Sequence, residues 1–166
     1  MTDYDWDTSQ DGTSGCEPSC EPGVSTVSGT HRRGALGGAV ALVAEPDRDL
    51  QSIYAKLLHR EGARDVVCVS TGTDALAHAL AHPPDVVVTE LRLPNLDGIA
   101  FVRRLRSEPR TRAAFIVVVT AQRGALLAHH ARELGVATVL SKPVALSVLA
   151  AILRGALDPM TGLSSG

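Results

Sequence analysis

VVVTELRLPNLDG, residues 86–98, runs three valines and a threonine into Glu90 and then turns through Pro94 and Gly98. An apolar run without polar alternation marks a strand covered on both faces, as in a parallel sheet flanked by helices. A carboxylate at the tip of such a strand is costly unless the tip opens onto a polar cleft. Glu90 therefore bears on both the fold and the candidate site.

The pattern extends outward from this stretch. From Ala39 onward, short apolar runs alternate with longer segments of helical period. Strands are predicted at 39–44 (AVALVA), 65–69 (DVVCV), 85–89 (DVVVT), 115–119 (FIVVV) and 137–140 (ATVL), and helices at 47–61, 73–81, 98–106, 123–134 and 144–156. The helix ends have local causes. Asp47 and Asp49 precede Leu50, Ile53, Leu57 and Leu58, an acidic start leading into apolar positions three and four apart, and Gly62 follows as a stop. Thr71 or Thr73 can cap the second helix, Pro83-Pro84 ends it, Asp97-Gly98 reads as a turn and cap, and Gly135 closes the fourth helix. Five strands and five helices in strict alternation predict an α/β fold with an open, doubly wound, five-stranded parallel sheet. In such a sheet a site lies at the carboxyl ends of the strands, where the strand order reverses.

Hydrophobic residues make up 45% of the 166 residues and aromatics only 3%, so one core built from Val, Leu, Ile and Ala is expected. The formal charge of −2 hides a division. Residues 1–30 hold Asp3, Asp5, Asp7, Asp11, Glu17 and Glu21 without a Lys or Arg, so the remainder carries a modest positive excess, too small to argue for nucleic acid. Residues 1–34 lack apolar periodicity and read as a disordered acidic tail, 35–156 as the folded domain and 157–166 as a short C-terminal tail. Cys16, Cys20 and Cys68 make neither a disulfide framework nor a zinc ligand set, which points to a reducing, cytoplasmic setting. HRRGALGGAVALVA runs directly into a charged segment and reads as a first core strand rather than a leader, and no stretch approaches the length of a membrane span.

The strand ends supply the candidate site. Glu45 follows the first strand, Glu90 the third, Thr120 the fourth and Lys142 the fifth, all polar. With these residues in that order, the sequence resembles the response-regulator receiver domain, the phospho-acceptor module of two-component signalling, over residues 39–156. ELRLPNLDG matches the stretch around the family's acceptor aspartate, with Glu90 at its place. VVVTAQ puts Thr120 where receivers carry Ser or Thr, and LSKPV puts Lys142-Pro143 at the family's Lys-Pro. The resemblance implies a flavodoxin-like (βα)5 fold with strand order 2-1-3-4-5, a stand-alone signalling role given the ten or so residues after the last helix, and a histidine kinase or output protein as partner.

Two departures qualify that implication. The family's acid cluster after the first strand falls on Glu45, Pro46 and Asp47, and Pro46 has no side-chain oxygen to offer Mg2+. The second departure is Glu90 itself, one methylene longer than aspartate. Mg2+ requires near-octahedral oxygen geometry at about 2.0–2.1 Å, and a misplacement of about 1 Å can cost on the order of 10²-fold in rate. Little or no phosphorylation of Glu90 is therefore expected, with no catalytic residue, no enzyme activity and no cofactor beyond weak Mg2+ binding. Instead the longer arm is expected to carry the carboxylate to Thr120 and Lys142, since a buried carboxylate and ammonium must pair or change protonation state. Lys142 is one of two lysines beside fourteen arginines, which suits a small pocket that needs a compact ammonium.

The expected function is an atypical receiver that acts by protein–protein contact without phosphorylation. Two alternatives stand beside it: a working phospho-acceptor that uses Mg2+, and a module that senses a small molecule or partner away from the pocket. Asp47 reads equally as a helix cap and as a remnant of the acid cluster, and Thr120 equally as a pocket hydroxyl and as a strand-end group bonded to backbone. Arg103, Arg104, Arg106, Arg110 and Arg112 read as a solvated helix face. His78 and His82 are assigned to solvent. In receivers an aromatic stands three residues before the Lys; Val139 holds that place, so an aromatic readout is not expected. A homodimer through the fourth helix, fifth strand and fifth helix is a further possibility, with no membrane or nucleic-acid contact.

Overall fold

A computed structural model describes residues 35–156, so the expected acidic tail at 1–34 and C-terminal tail at 157–166 lie outside the described residues. The elements alternate strictly: β1 (Val40–Ala44), α1 (Arg48–Arg60), β2 (Asp65–Val69), α2 (Gly72–Ala81), β3 (Val86–Thr89), α3 (Gly98–Ser107), β4 (Phe115–Thr120), α4 (Ala125–Glu133), β5 (Thr138–Ser141) and α5 (Leu146–Arg154). All strand pairs are parallel and the order is β2-β1-β3-β4-β5, the doubly wound arrangement expected. The order reverses between β1 and β3, which places a cleft above their carboxyl ends.

Period-two geometry divides the apolar residues between two faces. Ala41, Val43, Val86, Val88, Val117 and Val119 point toward Tyr54, Leu57 and Leu58 of α1 and Leu149 and Leu153 of α5. Leu42, Val87, Ile116 and Val118 point the other way, toward Ala75 and Ala79 of α2 and Phe101, Val102 and Leu105 of α3. Every residue of β3 is buried, which explains why its sequence shows no alternation. At about 1.5–3 kcal/mol for each large aliphatic side chain taken out of water, these two layers dominate the stability of the domain.

Element ends differ from expectation by one or two residues. The structure starts α4 at Ala125 rather than 123 because Gly124 is extended and supplies no capping side chain. It starts α5 at Leu146 because Ala145 is still extended, and the Lys142–Pro143 peptide bond just before it is cis. Strand β4 runs on to include Thr120, which pairs in register with Ser141 of β5. Asp47 caps α1 by accepting from the backbone N–H of Asp49 and Leu50, Thr71 caps α2, and Asp97 caps α3 through Ile99. Gly62 and Gly135 take positive φ after α1 and α4, as helix stops require.

One expectation about charge fails. Arg103, Arg104, Arg110 and Arg112 are exposed, but Arg106 is half-buried. Its Nε donates to the Leu134 carbonyl at 2.9 Å, Nη2 to Gly135 at 2.8 Å, and Nη1 to Arg112 and Ala114 at 2.7 and 2.8 Å. Carbonyls at the end of α4 and in the turn before β4 have no helical or ladder partners there, and one planar guanidinium satisfies four of them. Burial lowers the Arg106 pKa from its ordinary value. The assignment of both His78 and His82 to solvent is half right: His82 is exposed, whereas His78 is half-buried with its ring 5.2 Å from that of His82.

Candidate functional site

Ala44 and Thr89 are register partners on β1 and β3, so Glu45 and Glu90 follow at matching heights, and the Glu90 N–H donates to the Ala44 carbonyl at 2.9 Å. Both carboxylates are buried, 3% and 6% exposed. Two acids so placed repel each other unless a cation intervenes. Lys142, just past β5, is anchored by its backbone N–H to the Thr120 carbonyl at 2.8 Å. Its Nζ lies 2.7 Å from Glu45 Oε2 and 2.8 Å from Glu90 Oε2.

The remaining oxygens are also engaged. Glu90 Oε1 accepts the N–H of Leu91 at 2.7 Å and of Arg92 at 3.3 Å, and the nearby Thr120 hydroxyl helps to lower the pKa of the same carboxyl. Thr120 Oγ1 in turn accepts the Gln122 N–H at 3.1 Å, so the two readings of this hydroxyl hold together. Glu45 Oε1 accepts the Asp47 N–H at 3.2 Å. Among the described residues no buried side-chain nitrogen or oxygen lacks a partner.

Protonation follows from these contacts. Burial raises the Glu90 pKa, but the bonds from Lys142, Thr120, Leu91 and Arg92 outweigh it and leave the carboxyl below its ordinary value. Burial lowers the Lys142 pKa, and the two glutamates more than reverse that, leaving it raised. Glu90 is thus a carboxylate and Lys142 an ammonium at neutral pH.

The turn after β3 is shaped by close backbone approach. The Gly98 N–H donates to the Leu91 carbonyl at 2.8 Å, and a Cβ at Gly98 would meet Leu91 Cα and the Glu90 carbonyl oxygen at 2.6 Å. No other residue fits there without moving the segment that presents Glu90. Asn95 takes φ of 69°, a conformation that Asn tolerates better than most, and Leu91 and Leu93 are buried beneath the turn.

The predicted residues Glu45, Glu90, Thr120 and Lys142 come together as one cluster. Asp47 stands beside it, with its Oδ1 committed to the N-terminus of α1. Pro46 offers no side-chain donor, and among the described residues no group of three or more His, Cys, Asp or Glu is placed to hold a metal ion. Three features escaped sequence reasoning. Glu45 is predicted as a pocket residue after β1, but its pairing with Lys142, as close as that of Glu90, is not. Gln51 Nε2 fixes the site from α1 by donating to the Glu45 carbonyl at 2.6 Å and to Ser70 Oγ at 2.9 Å. Tyr54, 2% exposed, has a raised pKa, mainly from burial, and feels the charges of Lys142, Glu45 and Glu90.

Comparison with known proteins places this architecture. The family model described as the response regulator receiver domain matches residues 41–154. A probable chemotaxis protein CheY from Rhizobium etli is 24% identical over 113 residues, which cover 68% of this chain and 88% of that protein. The transcriptional regulatory protein PdtaR of Mycobacterium tuberculosis is 33% identical over 108 residues, 65% of this chain and 51% of its own length, so the chain spans only about half of that relative. Among solved structures, Vibrio cholerae CheY4 superposes with a TM-score of 0.66 at 22% identity, covering 72% of this chain and 98% of that one. The receiver domain of the Pseudomonas aeruginosa sensor histidine kinase PA1611, with magnesium coordinated in its active-site cleft, superposes with a TM-score of 0.63 at 27% identity, covering 71% and 96%.

Proposed function

The chain belongs to the response regulator receiver domain family, the receiver modules of two-component signalling, and from that premise we propose that it is an atypical member working by protein contact without taking up a phosphoryl group. Glu90 stands in the acceptor's place, and its longer arm delivers a permanent negative charge to Thr120 and Lys142. The observation that carries the reading is the ion triad: Lys142 Nζ within 2.8 Å of both Glu45 and Glu90. Phosphoryl transfer to a carboxylate needs an in-line oxygen, a metal to neutralise the phosphoryl oxygens and a cation beside them. Here the oxygens are bonded, Pro46 interrupts the donor set, and the cation is shared between two side chains of the protein itself. The chain is thus read as metal-independent and without enzyme activity, in the manner of receivers that act on kinases or output proteins.

A second reading is a working phospho-acceptor; the magnesium-holding receiver of PA1611 favours it. Incubation with acetyl phosphate or phosphoramidate and Mg2+, followed by intact mass, separates the two. An unchanged mass is expected, and a stoichiometric gain of one phosphoryl group overturns the proposal.

A further inference from the structure

The Tyr54 side chain is almost wholly enclosed, yet among the described residues its hydroxyl makes no hydrogen bond. Every fully sealed side-chain oxygen among those residues has a partner, so this hydroxyl is not sealed: it opens onto the cavity that Tyr54 lines. That cavity, about 420 Å³, lies between α1 and the segment joining β5 to α5. Its walls are apolar, with Leu50 and Ile53 on one side and Val144 and Leu146 on the other. Ile53 and Leu146, 39% and 40% exposed, stand uncovered at its mouth and border a further space of about 240 Å³. An ordered water needs about two to four polar partners. Besides the phenol, the lining side chains offer only Lys142, whose ammonium is held by Glu45 and Glu90.

We propose that this cavity binds a small neutral molecule with a hydrocarbon body and one carbonyl oxygen, which accepts the proton of the Tyr54 hydroxyl. Mostly apolar walls with one placed polar group, in a space of this size, are the usual make-up of a small-molecule site. The phenol is the group that fixes orientation: burial pushes its pKa up, so it is a donor at neutral pH. Left without an acceptor it forfeits the hydrogen bonds it makes to water in the unfolded chain, and a ligand carbonyl restores one. The ligand is neutral because neither sign of charge finds a counterpart. The ammonium of Lys142 is shared by two glutamates, which leaves no free cation for a carboxylate, and no acidic side chain lines the space to receive an amine. The site goes beyond the reading of Glu90 and does not depend on whether that residue takes up a phosphoryl group.

The test is a titration of the full chain with acetophenone, followed by amide proton–nitrogen correlation spectra. The expected result is saturable shifts at Leu50, Ile53, Tyr54, Val144 and Leu146, with a dissociation constant of about 1 mM. Tyr54→Phe keeps the ring and removes the hydroxyl; it weakens acetophenone about fivefold and leaves the affinity for ethylbenzene, which has no carbonyl, unchanged. Leu146→Trp fills the mouth and abolishes the shifts with both probes, while thermal unfolding shows the fold intact. Benzoate, of similar shape but charged, gives no saturable shift. The proposal is overturned by absence of saturable shifts at about 10 mM acetophenone, by equal acetophenone affinity in Tyr54→Phe, or by benzoate binding as tightly as acetophenone. It is also overturned if the same amides shift on dilution of the protein alone, which assigns the face to a second copy of the chain. These outcomes are independent of the phosphodonor experiment, which reads the carboxylates and not this cavity.

Discussion

Glu45 and Glu90 occupy neighbouring positions at the ends of two hydrogen-bonded parallel strands, and the ammonium of Lys142 stands between them, 2.7 Å from one and 2.8 Å from the other. Each carboxylate alone would be poorly placed beside its like-charged neighbour; the lysine makes the pair tolerable. Removing any member changes the balance for the other two.

Lys142→Met keeps the aliphatic bulk and removes the charge, leaving two buried carboxylates facing each other. A loss of about 3 kcal/mol is expected, at the low end for breaking a buried ion pair because Lys142 is not fully enclosed. Urea denaturation monitored by far-UV circular dichroism measures it, and an unchanged midpoint would show that the triad contributes nothing.

The depressed pKa of Glu90 makes stability depend on acid. Since the folded value lies below the ordinary 4.5, the stabilisation is complete above about pH 4.5 and is lost as pH falls through the folded value. Lys142 acts in the opposite sense: its raised pKa gives stabilisation complete below 10.5 and lost as pH rises through the folded value. Between these limits the contribution of Glu90 and Lys142 is flat. In Glu90→Gln the acid limb of the midpoint-against-pH curve becomes shallower.

If Pro46 and Glu90 together exclude the chemistry, neither Glu90→Asp nor Pro46→Asp alone restores it. The double variant is expected to gain one phosphoryl group from acetyl phosphate in the presence of Mg2+, read by intact mass, while both single variants remain near background. Full labelling of Glu90→Asp alone would place the whole block on the one extra methylene.

Arg106→Ala leaves four carbonyls without their donor and costs about 3 kcal/mol by thermal unfolding. Arg106→Lys recovers little of this, because a single ammonium cannot reach carbonyls on two separate loops as a planar fork does. Rescue by lysine would show that charge alone suffices.

The fold was legible because its signals are local and repeated. The unbroken apolar run at 86–88 could only be a strand covered on both sides, and Asp47, Thr71 and Asp97 marked helix starts with side chains that bond the first N–H groups. The contact of Glu90 with Lys142 followed from burial and charge. The share of Glu45 in that contact was not legible, since its place after β1 is equally compatible with facing solvent. Arg106 was invisible for a related reason: in sequence it is one of five arginines on a charged stretch, and only the approach of α4's carboxyl end turns it inward. Long-range acceptors of this kind, 28 and 29 residues away for Leu134 and Gly135, leave no periodic trace.

A negative charge built into a side chain does not decay. An acyl phosphate is a timer, set by donor supply and hydrolysis, whereas the carboxylate of Glu90 lasts as long as the polypeptide that carries it. If the domain works without phosphorylation, as proposed, a cell adjusts its output through the number of copies it makes and destroys, or by controlling when the partner is present, and the tempo of the response passes from chemistry to protein turnover.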